Sequence, residues 1–286
     1  VTNRRPRRDH AGNPVGGWWN NTAAIIFSLI WVFPVYWMVN TAFKPRSEAM
    51  TSTPLFVPKA PTLGNFDAAI SQTDFLLNLR NSLIVVGGSV VLALVLGMLA
   101  AAALSRFRFR GRRTIMVAIL IFQMLPGTAL LIPTFLVFNQ IGLLGTFLGL
   151  VLAYVALVLP FSIWVMRGFF IAIPVEVEEA ARIDGASTWQ ILVRVLFPLV
   201  VPGVVATSVF AFITAWNDYL IAYTFMQDQD HYTLPVWLAS FSTPLTGTDF
   251  GGQMAGSVIF SLPVVVFFLI IQRKLVTGIS AGAVKG

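Results

Sequence analysis

The sequence predicts an all-α, polytopic membrane protein with six transmembrane helices, on composition, block length and charge placement. Apolar residues make up 57% of the 286 and charged residues 11%, against roughly 45–50% and 25% in soluble domains. The apolar residues form blocks of about twenty, the length that crosses a hydrocarbon core about 30 Å thick. The basic residues gather on alternate connectors.

The first expected span, 18–42, has Trp18, Trp19, Trp31, Tyr36 and Trp37 available as interfacial anchors. Four arginines precede it without a small-residue cleavage site, so it reads as an uncleaved span, not a signal peptide. The second, 82–104, is rich in Gly, Ala and Val, which suits close helix packing in lipid. The third, 114–138, is interrupted by Pro126 and Pro133, and the fourth is 146–166. The fifth covers 200–223, and the sixth, 257–276, contains Pro263. The expected organisation is a tail (1–17), a first span with an outer loop (18–76), a permease core (77–276) containing a loop at 174–198, and a second tail (277–286).

Orientation follows from the charges. With the amino terminus inside, the inner segments hold Arg4, Arg5, Arg7, Arg8, Arg106, Arg108, Arg110, Arg112, Arg113, Arg167, Arg182, Arg194, Arg273, Lys274 and Lys285. Only Lys44, Arg46, Lys59 and Arg80 remain outside. That bias places both termini in the cytoplasm. It also accounts for the run at 105–113, whose arginines alternate with Phe107 and Phe109. The run is a connector pinned between spans, and nucleic acid is not an expected partner.

Several chemistries are excluded. Cysteine is absent and histidine occurs only at His10 and His231, so no thiol or multi-histidine metal centre is expected. There is no phosphate-binding Gly-x-x-x-x-Gly-Lys-Ser/Thr loop, so the chain should not itself bind ATP. His-Glu-x-x-His and Gly-x-Ser-x-Gly are also missing, which weakens an intramembrane hydrolase.

Two outer segments flank the core. The first, 43–80, carries four prolines and is expected to start extended and turn helical near 63–70. The second, 225–255, has no Lys or Arg; its stretch 234–241 is too short to span and is expected to lie flat or dip inward.

The inner loop from Ile173 to Pro198 is the most informative segment. Pro174 suits a first helical position, and Glu176, Glu178 and Glu179 complement the positive end of a helix dipole. Gly185 supplies a left-handed stop. Ser187 and Gln190 have the spacing of a capping box that opens a second helix, and Pro198 with Pro202 breaks or kinks the join to the fifth span. A short exposed helix between two chain breaks is shaped to dock into a groove; an amphipathic connector resting on the membrane is the alternative.

Glu179-Ala180-Ala181, three residues, Gly185, nine residues, Val195, one residue, Phe197-Pro198 resembles the EAA loop of bacterial ABC-importer permeases. That pattern is Glu-Ala-Ala, three residues, Gly, nine residues, Ile, one residue, Leu-Pro; Val195 and Phe197 depart from it with apolar replacements. Ala215-Trp216-Asn217-Asp218-Tyr219 and the tail 272–286 look like those of carbohydrate-uptake permeases of the maltose G-subunit type. The resemblance covers about 28–286.

The resemblance implies a type I importer permease fold in the bacterial cytoplasmic membrane. It implies coupling through Glu179, Ala180, Ala181, Asp184, Gly185 and Ala186, seated in a cleft of a separate ATPase. It further implies a second permease subunit, two ATPase copies that use ATP and Mg, an external sugar-binding protein, and a di- or oligosaccharide or related substrate. The tail, with Ser280, Gly282 and Lys285, is implied as a second ATPase contact. The chain itself would be no enzyme and would hold no cofactor.

Asp218 is the one carboxylate within an expected span, next to Trp216 and Asn217. Packing or helix capping, a sugar pathway or gate, and proton coupling are its readings, in decreasing weight. Gln123 with Pro126, and Ser261 with Pro263, either line a pore or bend helices. The candidate translocation pathway is thus Trp216, Asn217, Asp218 and Gln123. Two rival functions are an ion-coupled secondary transporter, which would normally show more intramembrane charge and paired repeats, and an importer permease for a solute other than sugar. A membrane-embedded transferase has less support, since no carboxylate pair or metal cluster marks an active site.

Overall fold

The computed structural model describes residues 18–51, 53–71, 74–243 and 247–283, with side chains to 272. The chain divides into two compact units, residues 1–72 with 241–259, and residues 73–240 with 260–286.

The first unit holds α1 (Trp18–Ala42), α2 (Arg46–Ala49), α3 (Gly64–Ser71) and the antiparallel pair β1 (Ser242–Thr243) and β2 (Gly247–Thr248). Pro34 lies within α1 without ending it. Polar side chains fold the proline-rich loop back on itself. Glu48 accepts from the Lys59 and Ala60 amides at 3.0 and 3.2 Å, and Asn40 Nδ2 donates to Leu55 O at 3.0 Å. Asn65 Nδ2 donates to both Ala42 O and Lys44 O at 2.8 Å. The expected helix near 63–70 is present as α3, while the residues before it are pinned, not freely extended.

The second unit is framed by α4 (Phe75–Arg106) and α7 (Phe147–Ala172), which pack along their lengths. Between them lie α5 (Arg112–Met124) and α6 (Gly127–Gln140). After α7 come α8 (Val175–Ile183), α9 (Thr188–Gln190), a π-helical stretch (Ile191–Leu196), α10 (Phe197–Leu199) and α11 (Val201–Trp216). The remaining helices are α12 (Leu220–Phe225), α13 (Leu234–Ala239) and α14 (Phe250–Ala283), the last of which begins in the first unit. Ala93, Val155, Val158 and Ala211 form a buried cluster joining α4, α7 and α11. Ala93 and Ala211, both fully buried, are small enough to let backbones approach closely, the usual packing where lipid supplies no hydrophobic drive between helices.

Among the described residues, α1, α4, α7 and α14 are each long and apolar enough to cross a bilayer, and the count reaches six when each of two bent pairs is one span. The expected third span is such a pair: α5 and α6 meet at 106°. The bend sits at Leu125–Pro126, where Leu125 is extended (ψ 130°), as a residue before proline prefers. Pro133, expected to interrupt as well, lies inside α6. The expected fifth span is also altered. Its helix stops at Trp216, so Asp218 sits in a non-helical break before α12 and not within a helix. The second span begins seven residues early at Phe75, the fourth runs to Ala172, and the sixth extends in both directions from 257–276.

The short segment expected to lie flat or dip is α13, which docks on the start of α4. Ser82 Oγ accepts from the Leu234 amide at 2.7 Å, Asn81 Nδ2 donates to Asp230 O and Tyr232 O, and Trp237 meets Phe75 at 5.2 Å.

Gly203 fixes the approach of α11 to α7: a Cβ there would lie 2.5 Å from the Phe169 ring. Gly203→Ala should therefore destabilise by about 1–3 kcal/mol through overpacking. Adding Phe169→Leu should recover much of that loss, read as the thermal unfolding midpoint of the detergent-solubilised chain. Additive effects of the two substitutions would show that the contact does not hold.

Candidate functional site

The connector 173–200 is built by local rules. Pro174 occupies the N-cap of α8, one position earlier than its expected first-turn place, and Glu176 and Glu178 fall in the first turn. At the other end the Gly185 amide donates to Arg182 O and the Ala186 amide to Ala181 O, each at 3.0 Å. These are the paired bonds of a Schellman stop, which needs a left-handed residue at Gly185, where φ is +83°. Two residues later Ser187 Oγ accepts from the Gln190 amide (3.3 Å) and Gln190 Oε1 from the Ser187 amide (2.8 Å). This is the capping box read from the sequence, and α9 starts where it dictates.

The helix then widens into the π-helical stretch. Pro198 has no N–H to give the carbonyl four residues back, and the Phe197 amide reaches five residues back, to Leu192 O. Val200 ends α10, and α11 departs at 69° to the preceding helix.

A nine-residue helix is too short to stand alone in water, and two contacts hold α8 in place. Ile191, Leu196 and Val200 are buried with Ala101, Ala102, Met166 and Phe170 at the ends of α4 and α7, with Ala181, Ala186, Val195 and Phe197 packed around them. Ile191 and Leu196 each contribute about 1.5–3 kcal/mol by burial from water. Val195 and Phe197, where the sequence departs from the EAA pattern, thus fill this core. The second contact is ionic: Glu178, only 7% exposed, pairs with Arg106 Nε at the last residue of α4. Arg106 Nη2 also donates to Ile173 O at 3.0 Å, and Arg167 Nε donates to Leu104 O at 3.3 Å. One guanidinium therefore ties the end of α4 to both the entry and the first turn of α8. Arg106 was counted in the sequence only as an inner charge and Glu178 only as a dipole complement; no spacing rule links residues 72 positions apart.

The opposite face of α8 is bare. Glu179, Ala180, Asp184 and Gly185 are exposed, and Ala181 and Ala186 are half-buried. Ile183 is 87% and Trp189 64% exposed. A shallow groove beside them is lined by Ala181, Asp184, Gly185, Ala186, Gln190 and Arg194. The six coupling candidates are thus brought together on and beside one stop motif.

The pathway candidates are placed differently. Trp216 is buried, stacks on Phe212 and donates Nε1 to Phe260 O at 3.3 Å. Asn217 is exposed and donates Nδ2 to Ile213 O at 2.8 Å. Asp218 Oδ1 accepts from the Ile221 and Ala222 amides at 3.0 and 3.2 Å and from Tyr154 OH at 3.1 Å. It is a helix cap for α12 tied to α7, a geometry that fits the first of its three readings. Gln123 is exposed near the end of α5. Ser280 and Gly282 lie in α14 where only the helical backbone is described, and Lys285 is outside the described residues.

Residues 93–281 match the family model of the binding-protein-dependent transport system inner membrane component. The diacetylchitobiose uptake system permease protein DasC of Streptomyces coelicolor is 39% identical over 268 residues, covering 94% of this chain and 97% of that one. The trehalose transport system permease protein SugB of Mycobacterium tuberculosis is 35% identical, covering 89% and 93%. A crystal structure of a bacterial ABC transporter involved in import of the acidic polysaccharide alginate contains a chain that superposes with a TM-score of 0.78 at 24% identity, over 94% of this chain and 99% of that one. An exposed loop anchored between long apolar helices and these similarities agree: the chain belongs to the binding-protein-dependent transport system inner membrane component family, the multi-pass permeases of ABC importers.

Proposed function

We propose that this permease subunit carries a di- or oligosaccharide, or a related sugar, across the bacterial cytoplasmic membrane. It pairs with a second permease, two cytoplasmic ATPase subunits that use ATP and Mg, and an external binding protein, with both of its own termini in the cytoplasm. The single observation that carries this reading is the bare face of α8, fixed from behind by Arg106–Glu178 and the Ile191–Leu196 core. An ATPase cleft that grips this face moves α4 and α7 with it. Closure shifts the transporter only if it contacts the loop differently in the inward-open and outward-open states. The tail around Ser280, Gly282 and Lys285 is a second ATPase contact in this proposal. The sugar assignment rests on the two uptake-system relatives.

The direct test is reconstitution. Uptake into proteoliposomes should require ATP, the second permease, the ATPases and the binding protein. Uptake by this chain alone down an ion gradient would overturn the proposal in favour of a secondary transporter, and uptake confined to a non-sugar solute would overturn the substrate.

Gly185→Val should lower substrate-stimulated ATP hydrolysis in the assembly. Its backbone is left-handed, while the space around the new side chain is open, so the cost of about 1–3 kcal/mol is conformational. Gly185→Asn, which tolerates that conformation, should retain most activity; equal loss in both variants would count against the assignment.

Arg106→Ala leaves the buried Glu178 carboxylate unpaired, at about 3–5 kcal/mol. It should uncouple ATP hydrolysis from uptake, and Arg106→Ala combined with Glu178→Leu should restore part of the coupling. No difference between the single and double variants would show the pair to be idle.

Asp218→Ala should impair uptake with assembly intact, removing an acceptor worth about 1 kcal/mol as a cap, whereas Asp218→Asn keeps the acceptor oxygen and should transport. Loss in the Asn variant would indicate that the charge itself is used in the pathway.

A further inference from the structure

We propose that a groove between the start of α5 and α7 binds the headgroup of an anionic phospholipid, with an acyl chain along its apolar wall. Arg112 and Arg113 from α5 and Arg167 from α7 line it together with Trp164, Met116 and Leu120. Its volume is about 600 Å³, within the usual range of ligand sites.

Arginine at the first positions of α5 is electrostatically misplaced. The first turn is the positive end of the helix dipole and holds no acidic residue. Among the described residues the only carboxylate–guanidinium pair is Arg106–Glu178, so these three arginines have no carboxylate within ion-pairing range there. Guanidinium groups match phosphate with paired N–H donors. Trp164, 43% exposed, offers an indole of the kind that settles at headgroup depth, and Met116 and Leu120 continue the wall one and two turns along α5.

Topology alone does not ask for this arrangement. Arg108 and Arg110 are exposed and serve the orienting charge bias anywhere on the connector, whereas Arg112, Arg113 and Arg167 converge from two helices on one groove with an apolar floor. Basic pockets between membrane helices on the cytoplasmic side hold anionic headgroups. The inference rests on the proposed topology and on no step of transport, so its test uses lipid binding alone.

The full chain in detergent micelles is titrated with phosphatidylglycerol or phosphatidylcholine carrying brominated acyl chains, which quench nearby indoles. The difference between the wild type and Trp164→Phe isolates the Trp164 signal. The expected result is half-quenching by phosphatidylglycerol at a lipid fraction roughly a hundredfold lower than by phosphatidylcholine, since each of the three basic residues contributes about fivefold to anionic-lipid attraction. The preference should vanish in R112Q/R113Q/R167Q and persist in R112K/R113K/R167K. The single variant R113Q, at an exposed position, should lower it severalfold even if the triple variant fails to fold. Equal quenching by the two lipids, or an undiminished preference in R113Q and the triple Gln variant, would overturn the proposal. Displacement of the lipid by millimolar inorganic phosphate would assign the groove to a free anion instead. Loss of the preference in the complete transporter would assign it to an acidic protein partner; either outcome also overturns it.

Discussion

The ion pair between Arg106 and Glu178 is the constraint on which the rest of the arrangement depends. Without it, the link between α8 and the membrane helices would be an apolar contact that permits rolling and sliding. With it, the last residue of α4 holds the first turn of α8 and, through Ile173 O, the backbone leading into it. A charge pair so little exposed is weak evidence for stability, because desolvation consumes much of its attraction. Its contribution is geometric: it joins the last residue of α4 to the first turn of α8 in the loop's present orientation. That orientation leaves the Glu179–Gly185 side facing outward.

The apolar core beneath the loop works with the pair. Ile191 and Leu196 come from the second helical segment, and Ala181 and Ala186 from either side of the Schellman stop. The turn is therefore braced by packing from both helical segments, while the space in front of the Gly185 Cα is open. Rigidity behind and openness in front are what the proposed ATPase contact requires.

Much of this was legible in the sequence because it obeys short-range rules. The stop at Gly185, the box between Ser187 and Gln190, and the break at Pro126 depend on residues within five positions of one another, and each occurs at the place read for it. The long-range partners were not legible. Nothing in the sequence singles out Arg106 among five arginines of one connector, or couples Tyr154 to Asp218. Pro133 failed as a break because a helix tolerates proline when neighbouring turns absorb the lost bond. The π-helical turn also escaped, since it arises from how Pro198 and the Ile191–Leu196 packing share one short segment.

The break after Trp216 has a further consequence for the surroundings of α11. Sixteen helical residues rise about 24 Å, several ångströms less than the hydrocarbon they would have to cross. Main chain that opens at such depth is tolerated only when every freed N–H finds an acceptor within the protein or water. Asp218 supplies acceptors for two of them. This margin of the bundle therefore carries its own acceptor for opened main chain, on a side chain two residues before α12 begins.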